Sequence, residues 1–328
     1  MGKPKNNQRQ ISKLLKRSSK HLKLFQDNNT CESILTDNSS KPAYENNKIR
    51  PGLYIVATPI GNARDITLRA LDILQSADVV VCEDTRVTSK LLAIYNITRP
   101  LISYHEHNST FAGPKIIKRL KLGEIVALVS DAGTPLISDP GFRLVQSCAK
   151  EKIYATHIPG ASSILTSLVL AGLPTDKFFF AGYPPNKAGK RSNFFEHFKF
   201  IPATLIFLES PKRLARSLVD MARVFGPREA ALARELTKKF EEIRKGSLID
   251  LRNYYLETSV PKGEITILVS PPLANETEPT REEMEHLLNK ALDSSTLKDA
   301  VSEVTLATGA PKRVVYTHAI KLISQKKE

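Results

Sequence analysis

Residues 125–141 read IVALVSDAGTPLISDPG, an apolar, β-branched run followed by small and turn-forming residues. Such a run, bounded by turn residues, predicts a buried strand with a flexible loop at its carboxyl end. Two more loops of this kind follow strand-like runs, at 58–62 (TPIGN) and 159–163 (PGASS). Because ligands bind at the carboxyl ends of strands in an open parallel sheet, the three loops predict one shared pocket. Ordinary turn chemistry is the alternative interpretation.

Strand-like runs alternate with amphipathic patterns on both sides of this stretch. The runs lie at 53–57, 79–82, 101–104, 125–130 and 153–158, and the helical patterns lie near 64–75, 86–95, 110–121, 141–151 and 160–171. This alternation predicts a mostly parallel sheet between layers of helices. Further runs at 178–182, 204–208, 230–234, 242–248 and 264–270 are joined by fewer helices, which predicts a mixed sheet. The predicted α/β domains span 50–165 and 166–272.

The two ends of the chain differ from these domains in amino-acid composition and in the pattern of apolar residues. Residues 1–49 are basic and rich in Lys, Asn and Ser, which predicts a disordered extension, with a mitochondrial transit peptide as the alternative. Residues 273–328 predict a linker and three short helices, the first beginning with a capping box at Thr280–Glu283. The third helix is predicted to have one apolar face, formed by Val314, Val315, Ala319 and Leu322. The unit resembles a helix-turn-helix; plain packing against the core is the alternative.

Charge and composition limit the possible partners. The net charge is +14, and residues 183–252 hold 15 Lys and Arg against 8 Asp and Glu. A concentrated positive field favours a polyanionic partner, although a solvated basic surface gives the same count. No apolar run approaches the ~20 residues of a membrane-spanning helix. The three cysteines are too scattered for a disulfide framework or a zinc site, so we expect a cytoplasmic protein without membrane contact.

Several common ligand motifs are absent from the sequence. It has no G-x-G-x-x-G after the first strand, no phosphate-binding G-x-x-x-x-G-K-[ST] and no G-x-S-x-G nucleophile elbow. The triplet His105-Glu106-His107 is a poor metal site, because neighbouring strand residues alternate between faces. We therefore expect no metal.

Several long motifs occur in order along the chain: GLYIVATPIGNARDITLRALDIL from residue 52, then CEDTR, SYHEHN, LVSDAGTPLISDPG, IPGASS, FAGYPP, LESPKR, ARELTK and KGE. These motifs resemble those of the ribosomal RNA small subunit methyltransferase I family of the tetrapyrrole methylase superfamily. The resemblance covers about residues 51–271 and implies two α/β domains of tetrapyrrole-methylase type with a small C-terminal helical unit. It also implies S-adenosyl-L-methionine bound in the cleft between the domains, a homodimer, and 2′-O-methylation of a cytidine in the decoding region of 16S rRNA.

The resemblance further implies cofactor contacts in these loops. In the first domain they are Pro59, Asp131, Ala132, Gly133, Thr134, Ile137, Ser138, Ser162 and Ser163. In the second domain Phe207, Leu208 and Gly263 are candidates to hold the adenine.

Methyl transfer to a ribose hydroxyl needs in-line alignment and the help of a base or an oxyanion-stabilising cation. The candidates are Asp84, Arg86, Glu106 and Lys238. Each has an alternative: Asp84 and Arg86 as a charge pair at a helix start, Glu106 as a cap or ion-pair partner, and Lys238 as a phosphate contact.

Phosphate contacts are predicted for a basic, mobile loop at 186–191, through Lys187, Lys190 and Arg191. Three other functions remain open at this point: a small-molecule tetrapyrrole methylase, a non-catalytic RNA-binding assembly factor, and a DNA-binding regulator. The near-neutral charge of residues 281–328 disfavours the last.

Overall fold

The computed structural model describes residues 49–273 and 280–325. The predictions for residues 1–48, including Cys31, and for 274–279 lie outside the described residues. Within the described part of the chain, no helix is both long and apolar enough to cross a membrane.

The first domain is built on a five-stranded sheet with the order β3-β2-β4-β1-β5. Its strands are β1 (Gly52–Val56), β2 (Val79–Cys82), β3 (Leu101–Ser103), β4 (Ile125–Val129) and β5 (Ala155–Ile158). Its helices are α1 (Leu68–Ser76), α2 (Thr85–Ile94), α3 (Ser109–Lys121) and α4 (Phe142–Lys150). All neighbouring strands pair in parallel, which confirms the prediction. The central strands are buried on both faces, which explains their uninterrupted apolar sequence.

The second domain is built on a five-stranded sheet with the order β6-β7-β10-β8-β9. Its strands are β6 (Phe178–Gly182), β7 (Thr204–Glu209), β8 (Glu229–Arg234), β9 (Glu242–Ser247) and β10 (Ile265–Val269). Strands β6 and β7 are parallel, and the other neighbours are antiparallel, so the predicted mixed sheet is confirmed. Helices α6 (Ala188–Glu196), α7 (Leu214–Phe225) and α8 (Leu248–Glu257) contribute to the core on one face.

Helix α5 (Ser163–Ala171) follows the last strand of the first sheet but packs on the second one. Its buried side chains Ile164 and Leu168 contact Ile206 of β7 and Leu268 of β10 in one apolar cluster. The carboxyl end of β5 is thereby held close to the second domain.

The C-terminal unit consists of α9 (Arg281–Leu292), α10 (Leu297–Thr308) and α11 (Lys312–Gln325). The capping box at Thr280–Glu283 is present, and Gly309 ends α10 with a φ of 67°. Three of the four residues predicted to face inward on the third helix are buried, but Val314 is exposed. The prediction for Val314 is wrong because it directly precedes Val315 and so lies about 100° around the helix from the buried stripe. Phe200 of the second domain joins the core of this unit.

Candidate functional site

The three small-residue loops of the first domain meet at the carboxyl edge of its sheet. The backbone N–H of Thr58 donates to the carbonyl of Gly133 (2.9 Å), and that of Gly133 donates back to Thr58 (3.1 Å). Thr134 Oγ1 donates to the carbonyl of Ala161 (3.2 Å). The predicted convergence of the loops after β1, β4 and β5 is therefore confirmed. That they bind a ligand stays a prediction.

Close approach of backbone explains the small residues in these loops. A Cβ added at Gly133, where φ is 78°, would lie 3.3 Å from Ile60 Cγ2. One added at Gly160 would lie 3.0 Å from the Cβ of Ala57. A larger residue at either position would push the loops apart.

The loop after β4 also carries backbone strain. Leu136 and Ser138 have φ values of 74° and 66°, in the left-handed region that residues with a side chain rarely adopt. Strain of this kind persists where surrounding structure enforces it and is concentrated at functional sites. Of the predicted cofactor contacts in this loop, Asp131, Ile137 and Ser138 are exposed.

Ser162 and Ser163 lie where α5 begins. The hydroxyl of Ser162 accepts a hydrogen bond from the backbone N–H of Leu165 (3.4 Å), so this side chain caps the helix. Ser163 is the first helical residue and is half-buried.

The loops of the first domain lie against the edge of the second sheet where β6, β7 and β8 end. The backbone N–H of Asn62 donates to Thr237 Oγ1 (3.0 Å). A Cβ added at Gly61 would lie 2.9 Å from the carbonyl of Leu236. Ile60 is buried together with Leu236 in a small apolar cluster, so the two domains touch directly at this point.

The second-domain residues predicted to hold adenine fall into different environments. Phe207 is fully buried, with its ring between those of Phe195 and Phe225, so its side chain does not reach the junction between the domains. The prediction that Phe207 helps to hold the adenine stays untested, and in this structure only its backbone is placed to make such a contact. Leu208, the next residue of β7, is half-buried and points to the opposite face of the sheet.

The side chain of Glu235 leaves no room for a Cβ atom at Gly263. The φ of Gly263 is 93°, and an added Cβ would lie 2.5 Å from Glu235 Cγ. The Glu235 carboxylate in turn accepts a hydrogen bond from the backbone N–H of Glu264 (3.3 Å) and one from Lys238 Nζ (2.8 Å). The KGE and ELTK turns are thus one packed unit.

Lys238 is a cation held between two carboxylates. Its Nζ lies 2.8 Å from Glu235 and 3.4 Å from Glu264. Burial opposes the charged form, but the hydrogen bond with Glu235 and the charge of Glu264 outweigh it, so the pKa of Lys238 is raised. The ammonium is therefore protonated at neutral pH and is suited to stabilise negative charge, not to accept a proton.

Asp84 and Arg86 form the charge pair that the sequence offered as the alternative interpretation. Asp84 caps α2 by accepting from the backbone N–H of Arg86 (2.8 Å), and its Oδ2 lies 2.6 Å from Arg86 Nη2. The hydrogen bonds from Arg86 lower the pKa of Asp84 to about 2. A carboxylate this acidic has little tendency to accept a proton. The third candidate, Glu106, is exposed in the turn before α3.

Three carboxyl groups lie around the loop after β4; Glu83 and Asp139 are half-buried, and Asp131 is exposed. Burial raises the pKa of Asp139 to about 6, and the negative charge of Glu83 adds to the effect. Burial also raises the pKa of Glu83, as does the charge of Asp131. The pKa of Asp131 is raised by burial in the same way. The negative charges of Glu83 and Asp131 both raise the pKa of Asp139, and nearby His105 lowers the pKa of Glu83.

A cavity of about 480 Å³ lies beside this cluster. It is lined by residues from the ends of β2, β3 and β4: Glu83, Asp84, Thr85, Arg86, Ser103, His105, His107 and Asp131. His105 Nδ1 is buried there and has no hydrogen-bond partner among the described residues.

Glu83 and Asp139 were not among the site residues predicted from the sequence, and His105 was considered only as a metal ligand. All three belong to the motifs CEDTR, SYHEHN and LVSDAGTPLISDPG, so membership in a motif was the available signal. Their burial, which sets their chemistry, arises only when three strand ends meet.

The basic residues of segment 186–191 lie in two different environments, one exposed and one buried. Lys187 and Lys190 are exposed at the start of α6. Arg191 is buried, with Nε 2.8 Å and Nη2 2.7 Å from Asp220 Oδ2, and Nη1 donates to the carbonyl of Asn186 (3.1 Å). The prediction of a phosphate contact for Arg191 does not fit this structure, because all of its donating groups face protein.

Comparisons with known proteins agree with this architecture. Residues 52–252 match the family model described as tetrapyrrole (corrin/porphyrin) methylases, and residues 278–322 match an RsmI C-terminal HTH domain. Among solved structures, a diphthine synthase superposes with a TM-score of 0.52 at 14% identity, covering 66% of this chain and 89% of that one. Cobalt precorrin-4 methyltransferase superposes with a TM-score of 0.50 at 17% identity, covering 69% and 96%.

Curated relatives cover most of the chain. A ribosomal RNA small subunit methyltransferase I of Mesorhizobium japonicum is 49% identical over 84% of this chain and 93% of its own length. The protein of that name from Pseudomonas aeruginosa is 42% identical over 82% and 96%. The converging loops, the two sheets and the C-terminal helices therefore place this chain in the tetrapyrrole methylase family and, within it, among the ribosomal RNA small subunit methyltransferases I.

Proposed function

We propose that this chain catalyses S-adenosyl-L-methionine-dependent 2′-O-methylation of a cytidine ribose in the decoding region of 16S rRNA, acting as a homodimer in the cytoplasm. The observation that carries the proposal is the meeting of three small-residue loops beside a cluster of carboxyl groups. Membership of the methyltransferase family supports the reaction class, and the basic second domain supports an RNA substrate.

The residues at the junction fit a cationic cofactor. Gly133 and Gly160 let backbone groups approach a ligand closely. The cofactor carries a sulfonium and an ammonium group, and the carboxyl groups of Asp131 and Asp139 are complementary to these charges. In this proposal the contacts are Pro59, Asp131, Ala132, Gly133, Thr134, Ile137, Ser138, Ser162, Ser163, Leu208 and Gly263, with Phe207 contributing only through its backbone.

When bound, S-adenosyl-L-methionine supplies a methyl group on a good leaving group. The chain then has to orient the ribose hydroxyl and accept its proton. Glu83 is the proposed acceptor, because burial raises its pKa and it lines the cavity beside Asp131. Asp84 instead fixes the start of α2, and Lys238 stabilises charge that develops on the oxygen.

Methylation of purified small ribosomal subunits tests this proposal directly. Ribose methylation is mapped after incubation with the donor and either the wild-type chain or the Glu83→Gln variant. We expect the variant to lose ~10²–10⁴-fold in kcat with cofactor affinity little changed. Methylation of a porphyrinoid but not of subunits would show a small-molecule enzyme. No calorimetric cofactor binding at high micromolar concentration would show a non-catalytic assembly factor.

The proposed RNA contacts have a matched control within the chain. Lys187 and Lys190 are exposed at helical spacing, and Lys115 and Lys118 are exposed on α3 at the same spacing. Replacing the first pair by alanine should reduce the salt slope of RNA binding by roughly 1.5, since each phosphate contact contributes about 0.7–0.9. The second pair should leave the slope unchanged. Equal slopes for the two double variants would remove α6 from the RNA interface.

The homodimer proposal rests on exposed apolar side chains of α5 and β6. Val169 is 75% exposed, and Leu165, Phe178 and Phe179 are also exposed. Large exposed apolar side chains on neighbouring elements are typical of protein interfaces. Val169→Asp should shift the mass measured by light scattering from dimer to monomer. A wild-type chain that is monomeric at all concentrations would refute the proposal.

A further inference from the structure

We propose that a cavity beside the ELTK turn binds an unstacked RNA base that neighbours the methylated nucleotide. This inference rests on the function proposed above and names how the RNA strand is held. The cavity has a volume of about 590 Å³ and is lined, among others, by Phe240, Tyr254, Tyr255, Val260 and Lys262. We call it the aromatic cavity.

Two of the three aromatic side chains that line the aromatic cavity are exposed, and the third, Tyr255, is buried. Phe240 is 65% exposed and Tyr254 is 39% exposed, and Val260 between α8 and β10 is also exposed. The Arg244 guanidinium lies 3.6 Å from the centroid of the Tyr254 ring. Exposed aromatic rings backed by arginine form stacking platforms for single-stranded nucleic acid.

The aromatic cavity adjoins the junction between the domains. Glu235 lines the cavity and also binds Lys238 Nζ at 2.8 Å. Thr237, in the same turn, accepts from the backbone of Asn62 in the loop that follows β1. A strand whose target ribose reaches this junction therefore has its neighbouring nucleotide beside Phe240.

The charges around the aromatic cavity suit a nucleotide. Arg234 and Arg244 share one carboxylate partner, Glu242, at 2.7 Å and 2.9 Å, so this cluster keeps one positive charge. Among the described residues, the ammonium groups of Lys239 and Lys262 form no ion pair. The lining thus combines aromatic rings, which suit a base, with the cation of Lys262, which suits a phosphate. Lys239 adds a second cation next to the lining, with its ammonium 5.7 Å from the centroid of the Phe240 ring.

Phe240→Ala tests the inference, and Phe111→Ala is the matched control. Phe111 is 76% exposed on α3 of the first domain. We expect Phe240→Ala to lower kcat/KM for small-subunit methylation between about 5-fold and 100-fold, mainly through KM, while Phe240→Tyr restores it. Cofactor affinity and the melting temperature should match those of Phe111→Ala. Equal kcat/KM values for the two alanine variants would overturn the inference.

A direct readout of stacking is available because the chain contains no tryptophan. Phe240→Trp places a single fluorophore in the aromatic cavity, and Phe111→Trp places one outside it. A short oligocytidylate should quench the first and not the second, and an abasic oligonucleotide of equal length should quench neither. Absence of quenching at saturating oligonucleotide would refute base stacking.

The same variants separate this inference from its alternatives. If Phe240→Ala changes the mass measured by light scattering, the aromatic cavity is an interface between copies of the chain, and the inference is wrong. If wild-type protein methylates small subunits but Phe240→Ala behaves like the control, only the inference fails. If the tryptophan is quenched by RNA but no subunit methylation occurs, the proposed reaction fails and the base site stands.

Discussion

Asp139 allows the electrostatics of the junction to be tested without any ligand. Its carboxyl lies in the strained loop after β4, where burial raises its pKa from an ordinary value of 3.8 to about 6. The charges of Glu83, Asp131 and Glu264 contribute in the same direction, and a hydrogen bond with Ser130 opposes them. The perturbation is Asp139→Asn, which keeps the shape and removes the charge.

The sign of the effect follows from the raised pKa. Because the folded protein holds the proton more tightly than the unfolded chain, the contribution of Asp139 is fully present below pH ~4 and is lost as the pH rises through about 6. A shift of roughly two pKa units corresponds to at most about 3 kcal/mol. Since this side chain is only half-buried, solvent screening reduces the figure to about 1–2 kcal/mol.

Thermal and urea unfolding at a series of pH values between 4.5 and 7.5 measures this difference. The free energy of unfolding of Asp139→Asn should rise by about 1–2 kcal/mol relative to that of wild type as the pH rises across that range. This difference is equivalent to a few degrees in melting temperature. Asp176→Asn, at an exposed carboxyl between α5 and β6, is the matched control and should follow wild type. A difference between Asp139→Asn and wild type that does not change with pH would refute the reasoning.

Three further predictions concern packing. Gly61→Ala should lower methylation and melting temperature, because the added Cβ would lie 2.9 Å from the carbonyl of Leu236. Gly113→Ala, where the structure leaves open space, is the control and should be neutral or slightly stabilising. Similar melting temperatures for the two variants would contradict this prediction. Arg191→Ala should lower the free energy of unfolding in urea by about 2–3 kcal/mol, because it leaves the buried carboxylate of Asp220 paired with Arg223 alone. Lys190→Ala should lower it by less than about 0.5 kcal/mol. Gly263→Ala should weaken cofactor binding measured by calorimetry, because it displaces Glu235, and unchanged affinity would exclude a role for this turn.

The positions of all ten strands in the described residues could be predicted from the sequence, because most of them are short apolar runs bounded by turn residues. Strand β9 (EIRKGS) is mostly polar and is the exception. The convergence of the three loops could be predicted as well, since parallel strands place their carboxyl ends at one edge. Both predictions depend on the order of apolar and turn-forming residues along the chain, which directly determines where strands begin and end.

The environment of single side chains could not be predicted in this way. Strand β7 is apolar on both faces, so its sequence does not show that Phe207 faces the aromatic core and Leu208 the opposite side. Arg191 looks like an RNA-binding residue among its sequence neighbours, but its partner Asp220 lies on another helix. The raised pKa of Asp139 likewise depends on charges brought together from separate loops.

The distribution of charge restricts how an RNA strand can approach the junction. The inner surface holds the carboxyl groups of Glu83, Asp131 and Asp139, which repel phosphates and attract a cationic cofactor. The exposed cations Lys187 and Lys190 lie on the second domain. The RNA backbone is therefore best accommodated along the second domain, with only a ribose and its base turned inward. Under the proposed function, the acidic surface would favour the cationic methyl donor and would also keep the rest of the strand outside.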